Sequence, residues 1–323
     1  MESFEGRIAV VTGGGTGMGR ELVLQLVEQG ASVALCDVNK DNMGGTAEKA
    51  AAIAPEGVRI TTHLCDVADE ADVNRFRDEV MAQHQTEHIN LLFNNAGVGG
   101  GGDFVSPDAD RGSWERTFGI CWGGVYNCCR AFVPLLVASD AGYLVNTSSV
   151  NGFYASIGPD TPHTAYSAAK FAVKGFTEAL VTDFKVNAPH VKCAVVMPGH
   201  IGTDIAINSR KILSGNDGEL SAEDLEGMRK NMARRGFPVE GASDDDLRGF
   251  VKMMGEGFRD NAPTTAAQAA TIILDAVKAE RWRILVGDDA HELDRLVRGN
   301  PEGAYDGSLF ELMSATGAQP PSR

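Results

Sequence analysis

The chain has 323 residues, 43% of them hydrophobic and 23% charged, an ordinary balance for a globular protein long enough to bury a large core. Its net charge of −15 argues against nucleic acid or an anionic membrane as a partner. The six cysteines form no CxxC pair and read as reduced core residues of a cytoplasmic protein, and no stretch resembles a signal peptide or approaches the ~18 apolar residues of a membrane span.

Short apolar, β-branched runs alternate with longer helix-like runs along the chain. The expected strands are 7–12, 32–37, 59–66, 89–94, 143–147, 192–197 and 283–286. The expected helices lie near 17–30, 40–53, 69–86, 113–138, 165–187 and 264–280. Strand and helix in such alternation predict an α/β fold: a doubly wound, Rossmann-type parallel seven-stranded sheet with helices on both faces. One catalytic domain covers 1–300. Residues 204–262 interrupt the rhythm, are rich in Met, Gly and charge, and carry Asp244-Asp245-Asp246. A stretch that long is expected to hold helices of its own, a lid over a substrate. Residues 301–323 form a polar C-terminal tail.

The first expected strand runs into TGGGTGMG, Thr12 to Gly19. Gly13, Gly17 and Gly19, with Thr16 and Met18 between them, stand where a strand ends and a helix begins. Glycine there permits a tight turn and lets backbone N–H groups approach a pyrophosphate at a helix N-terminus. Asp37 ends the next strand, where a carboxylate accepts hydrogen bonds from both adenosine ribose hydroxyls and repels a 2′-phosphate. The expected cofactor is therefore NAD rather than NADP, with Lys40 the nearest cation that could argue otherwise.

In HTAYSAAK, Tyr166 and Lys170 are four residues apart, about one helical turn, and share a face. A lysine ammonium beside a tyrosine favours the phenolate and lowers the phenol's pKa. A phenol so tuned exchanges a proton with an alcohol or a carbonyl near neutral pH. Together with a dinucleotide-binding turn, the pair points to an oxidoreductase.

These residues resemble the short-chain dehydrogenase/reductase family in its common single-domain form. Its glycine turn is matched by Thr12–Gly19, its acid facing adenine by Asp66-Val67, and its NNAG motif by Asn94-Asn95-Ala96-Gly97. Its catalytic serine falls in Thr147-Ser148-Ser149, its YxxxK at Tyr166 and Lys170, and its PG motif at Pro198-Gly199, followed by Thr203. The order and approximate spacings fit over residues 5–205 and resume around 281–290. The resemblance implies Tyr166 as general acid/base. It implies Lys170 as the group that lowers the Tyr166 pKa and holds the nicotinamide ribose. It implies Ser149, in preference to Ser148, as the donor to the substrate oxygen. Thr203 and the backbone of Ile201 would hold the carboxamide, and Asn94, Ala96 and Gly97 the ribose side.

Two features depart from the family. Cys121 stands in Ile120-Cys121-Trp122-Gly123-Gly124-Val125 where the family has an asparagine that supports a helix distortion and a relay water. A weakened or rerouted proton relay is expected, with Asn127 too far along to substitute. Ser149 and Tyr166 are also further apart in sequence than is usual, through an insertion carrying Pro159, Pro162 and His163. His163 is expected as an exposed loop histidine. In 204–262, Met228, Met232, Phe237, Met253, Met254 and Phe258 suggest a cover for a fairly large apolar secondary alcohol or ketone, and Arg234-Arg235 could anchor an acidic group. An NAD(P)H-dependent ketoacyl-thioester reductase and a non-catalytic dinucleotide-binding protein are the alternatives. A homo-oligomer, tetramer or dimer, is expected through the helices near 113–138 and 165–187.

Overall fold

A computed structural model of the chain describes residues 1–106, 109–157, 162–214, 219–234, 236, 239 and 241–306. Its centre is a 7-stranded sheet in the order β3-β2-β1-β4-β5-β6-β9. The strands are β1 (Ile8–Thr12), β2 (Ser32–Asp37), β3 (Ile60–Leu64), β4 (Leu91–Asn94), β5 (Gly142–Thr147), β6 (Val191–Pro198) and β9 (Arg283–Val286). Every pairing in it is parallel. β4 and β5 are buried at every residue, which is why they read as unbroken apolar runs rather than alternating ones. The seven expected strands are all present, within a few residues of their expected ends.

Helices cover both faces. On one side α1 (Gly17–Glu28) and α10 (Ala266–Lys278) put Leu22, Leu26, Ile273 and Val277 against Val11, Val33 and Phe93 of the sheet. On the other, α3 (Glu70–His84), α5 (Gly124–Val137) and α6 (Thr164–Asn187) pack Phe76, Phe132 and Val173 against Val10, Leu92 and Leu144. α2 (Lys40–Ile53) follows β2 and is capped by Asn39, whose side chain accepts from Asn42 N–H. All six cysteines are buried and free, and burial pushes Cys129 and Cys193 up to about 12.

The insertion holds three helices, α7 (Ile205–Ser214), α8 (Ala222–Arg234) and α9 (Asp244–Asp260). The Asp244–Asp246 patch is the acidic first turn of α9. Asp246 completes a capping box with Ser243 there, so these acids serve a helix start rather than a ligand. Three elements were not foreseen. β7 (Ile201–Gly202) pairs with β8 (Thr264–Thr265) in a small parallel sheet that ties the two ends of the insertion together. α11 (Asp288–Gly299) packs on β9, with first-turn acids and a last-turn arginine that are legible signals in retrospect.

One sequence expectation needs correction. The helix from Arg111 to Val137, which joins α4 (Arg111–Phe118) to α5, is long and apolar enough by length and composition to cross a membrane. Polar residues interrupt it, so a count of consecutive apolar residues passed it over. Of its most apolar window, 56% is buried inside the protein, as befits a helix lying on a sheet.

Candidate active site

The sheet order reverses between β1 and β4, and the chain opens a crevice there, beyond the carboxyl ends of both strands. β1 leads into the glycine turn, where Gly13 (φ +64) and Gly17 (φ +55) adopt left-handed backbone that a side chain would strain. At Gly19 the constraint is contact: a Cβ would sit 2.0 Å from the Gly13 carbonyl oxygen. Asn95 fixes the turn from β4's end, its amide donating to the carbonyls of Thr12 and Gly13. The Thr12 hydroxyl accepts from the N–H groups of Asn95 and Ala96.

Asp37 lines the crevice beside the glycine turn. Its Oδ2 accepts from Gly15 N–H at 3.0 Å and its Oδ1 from Asn39 N–H at 2.9 Å. Burial pushes its carboxyl up, and the backbone donors pull it back down. Asp66 is fixed by Arg116 at 2.6 Å. The crevice is lined by ten of the cofactor residues expected from sequence: Gly13, Thr16, Gly17, Met18, Asp37, Asp66, Val67, Ala96, Gly97 and Thr203. Glycines that admit a close backbone approach, an uncapped helix start and a ribose-facing carboxylate together fit a dinucleotide.

The other expected cofactor residues stand elsewhere. Asn94 is in the core, its amide donating to Asn146 Oδ1 at 2.8 Å, and Asn146 in turn donates to Thr177. Gly199 faces Asp289, whose carboxylate a Cβ would meet at 2.1 Å. Pro198 ends β6, and Ile201 is buried in the main core. Residues outside that expectation also line it, among them Asn95, Val98, Arg116 and Ile120, and Ile205, Asn208, Lys211 and Ile212 from α7. Asn208 reaches across to donate to Thr16 Oγ1 at 3.3 Å. The first helix of the insertion therefore covers the cofactor crevice. This corrects the expectation of a cover for substrate alone, and only α7's tertiary placement reveals it.

Ser149, Tyr166 and Lys170 come together beside the far end of this crevice. The Ser149 hydroxyl lies close enough to pull the Tyr166 phenol down and is positioned by Asn151 N–H, which donates to its Oγ at 3.1 Å. The Ser148 hydroxyl is spent on the Lys170 carbonyl at 2.7 Å, which separates the two adjacent serines. The buried Lys170 ammonium donates to Thr147 O at 2.8 Å and lies 5.3 Å from the Tyr166 ring centre. Burial pushes the Tyr166 phenol up, with only Ser149 pulling it down, and burial pushes Lys170 down. The expected lowering of Tyr166 by Lys170 is thus not seen. The ammonium is engaged by a backbone carbonyl, and enclosure disfavours both charged forms.

Cys121 lies in a π-helical turn, Gly119–Gly123, between α4 and α5. Its thiol donates to Val98 O at 3.2 Å. The distortion expected of the family is present without the asparagine, and the side-chain support expected to be lost is supplied by sulfur. Asn127 is committed elsewhere, donating to Val67 O at 3.0 Å.

His163 also departs from expectation. Its ring sits 4.7 Å from the Tyr166 ring, centre to centre. Burial pushes it down to about 4, so it is not an exposed loop residue. Pro159, Arg235 and Phe237 lie outside the described residues. Of the insertion's methionines, Met253 is exposed, and the Phe258 ring lies tilted against His200, 4.4 Å centre to centre.

A family model described as short chain dehydrogenase matches residues 7–213. SadH of Mycobacterium tuberculosis is 39% identical over 223 residues, 69% of this chain and 76% of that protein. A meso-2,3-butanediol dehydrogenase of Serratia marcescens is 34% identical over 180 residues, 56% of this chain and 66% of its own. Among solved structures, a short chain dehydrogenase/reductase from Burkholderia phymatum in complex with NAD superposes with a TM-score of 0.69 at 25% identity, covering 99% of this chain and 98% of its own.

Proposed function

This chain belongs to the short chain dehydrogenase family, and from that premise we propose that it interconverts a secondary alcohol and a ketone with NAD as the redox partner. When bound, NAD supplies the hydride acceptor and its reduced form the donor. The protein's own residues manage the rest. Gly13, Gly17 and the start of α1 offer backbone N–H groups to the diphosphate, and Asp37 offers its carboxylate to the adenosine ribose. Ser149 donates to the substrate oxygen, and Tyr166 moves the hydroxyl proton. With its phenol held up by burial, Tyr166 stays protonated at neutral pH, the form that can donate to a carbonyl, while its proton is the harder to release. Alcohol oxidation requires that the proton be taken up, and the π-helical turn beside Lys170 is where a relay would leave the site.

The observation that carries the reading is the convergence of Ser149, Tyr166 and Lys170 from the end of β5 and the first turns of α6, beside a crevice that suits a dinucleotide. The experiment is NADH formation from NAD with a panel of bulky secondary alcohols, wild type against Tyr166→Phe. Turnover lost in the variant supports the chemistry; equal turnover in both proteins sinks it. The thioester-reductase reading depends on NADP, which the Asp37 carboxylate opposes. The non-catalytic reading drew on Cys121 alone, and the thiol's bond to Val98 removes most of its force. We further infer a cytoplasmic homo-oligomer paired through α5 and α6, on which Tyr126 and Phe171 are exposed. Light scattering that returned a monomer would contradict that assembly.

A further inference from the structure

His163 is the residue immediately before α6, three positions ahead of Tyr166. Both its ring nitrogens are buried, and neither has a hydrogen-bond partner among the described residues. Buried polar groups almost always find partners. One without a protein partner, next to Tyr166, is held there at a cost to stability that a bound water or ligand would offset.

The placement is not the accident of a loose loop. The glycine-rich strip after β4 is pressed against the chain on either side of His163. Thr164 N–H donates to Gly102 O and Ala165 N–H to Gly101 O, at 3.2 and 2.9 Å. Trp114 Nε1 donates to Thr164 Oγ1 at 3.1 Å. A Cβ on Gly102 would come within 2.6 Å of the Pro162 carbonyl oxygen, and one on Gly101 within 2.5 Å of Ala165 Cβ. The strip is itself anchored to the insertion, because Gly99 N–H donates to Ser209 Oγ at 2.7 Å. The run of glycines from 99 to 102 thus permits a close approach that fixes the backbone on both sides of His163, whose ring lies beside Tyr166.

We propose that His163 binds a second oxygen of the substrate, close to the carbon on which Tyr166 acts, so that the preferred substrates are vicinal diols, hydroxyketones or diketones on an apolar frame. A neutral imidazole carries one donor and one acceptor nitrogen. It donates to a carbonyl and accepts from a hydroxyl, and therefore holds the second oxygen in either oxidation state. A lone alcohol or ketone leaves a buried imidazole unpaired. Sites built to hydrogen-bond a group discriminate strongly against analogues that lack it.

This inference rests on the alcohol–ketone reading, so its test separates the two. The Tyr166→Phe protein, saturated with NADH or with NADPH, whichever it binds, is titrated with benzil and with deoxybenzoin, the same skeleton with two oxygens or one. The expected result is about tenfold or greater preference for benzil, lost in the Tyr166→Phe/His163→Phe double variant and partly restored by His163→Gln in place of Phe. Equal binding of the two ketones, no measurable binding of either, or a preference that persists without His163 overturns the proposal. Turnover of the single-oxygen alcohols by wild type, compared with Tyr166→Phe, reports on the alcohol–ketone reading independently. His163→Phe keeps the ring and removes both unpaired nitrogens, so its thermal midpoint is expected to be no lower than that of wild type.

Discussion

The two walls of the cleft are built from different materials. The proposed cofactor wall is backbone: the N–H groups and carbonyls of 12–19, fastened by Asn95 and by the Thr12 hydroxyl, with the Asp37 carboxylate bonded to Gly15 N–H at its edge. The substrate wall is side chains drawn from separated segments: Ser149 after β5, His163 and Tyr166 at the start of α6, and Cys121 in the π-helical turn, with the 99–102 strip behind them. Backbone contacts fix one ligand's shape and accept few substitutions. Side chains packed by neighbours can be exchanged while the fold persists, which is how one cofactor site comes to serve many substrates.

The largest effect should come from the chemistry at the substrate wall. Tyr166→Phe removes the proton carrier without altering the ring, and turnover should fall by about 10²–10⁴-fold. Dinucleotide affinity, measured by fluorescence titration, should change little. Large losses in both would mean that the walls are not separable and that Tyr166 is part of the cofactor wall.

Next come two changes confined to the cofactor wall. Gly19→Ala forces a Cβ against the Gly13 carbonyl, and overpacking at such a contact costs about 1–3 kcal/mol. The thermal midpoint should fall and dinucleotide binding should weaken together. Asp37→Ala removes the carboxylate that opposes a 2′-phosphate, and the ratio of NAD to NADP affinity should drop by about tenfold or more. A ratio that did not move would show that cofactor choice lies with Lys211 or Arg116, the two cations that line the crevice.

The same division explains what could be read before folding. Glycine turns, an acid at a strand end and an NNAG corner announce themselves because each does its work within a few residues. The seven strands were equally legible, since burial on both faces leaves continuous apolar runs. Sequence could only prefer Ser149 to Ser148 by resemblance; the physical difference between them, the Ser148 bond to Lys170 O, needs the fold. What lay hidden depended on distant partners. α7 reaches the glycine turn through Asn208 and Thr16, 192 positions apart. The chain on either side of His163 is held because residues 101 and 102 close on Pro162, Thr164 and Ala165, and the Cys121 thiol finds its acceptor in Val98. Lys170 looked like a local partner for Tyr166, yet its ammonium is engaged by Thr147.

A smaller effect tests the burial of the substrate wall through pH. The folded-state pKa of His163 is depressed to about 4, below an unfolded value near 6.5. The folded form therefore holds fewer protons than the unfolded one between those values. Its stability contribution is full above about pH 6.5 and is lost as the pH falls toward 4. His84 behaves alike, pushed down to about 4 mainly by burial. Between pH 7 and 5 wild type should lose stability, and His163→Phe should lose about 1–2 kcal/mol less. Identical pH profiles from denaturant titrations would mean that the imidazole is solvated and the wall open.

The smallest effect should come at Cys121, where the two walls meet. A Cβ at Gly97, on the cofactor side, would lie 3.5 Å from Lys170 Nζ and 3.7 Å from Cys121 Sγ, so the thiol borders both the crevice and the lysine. Its bond to Val98 O is that of a weak donor, and its loss should cost only about 0.5–1.5 kcal/mol. If the π-helical turn is held by backbone and packing, Cys121→Ala keeps the turn and lowers turnover by less than about tenfold, the rate equivalent of that bond. Cys121→Asn then brings no gain at any pH, because the support an asparagine would supply is already in place. A Cys121→Asn enzyme much faster than wild type, with a shifted pH profile, would instead locate the proton exit at this side chain. The substrate wall would then be limited by a relay that sulfur serves poorly.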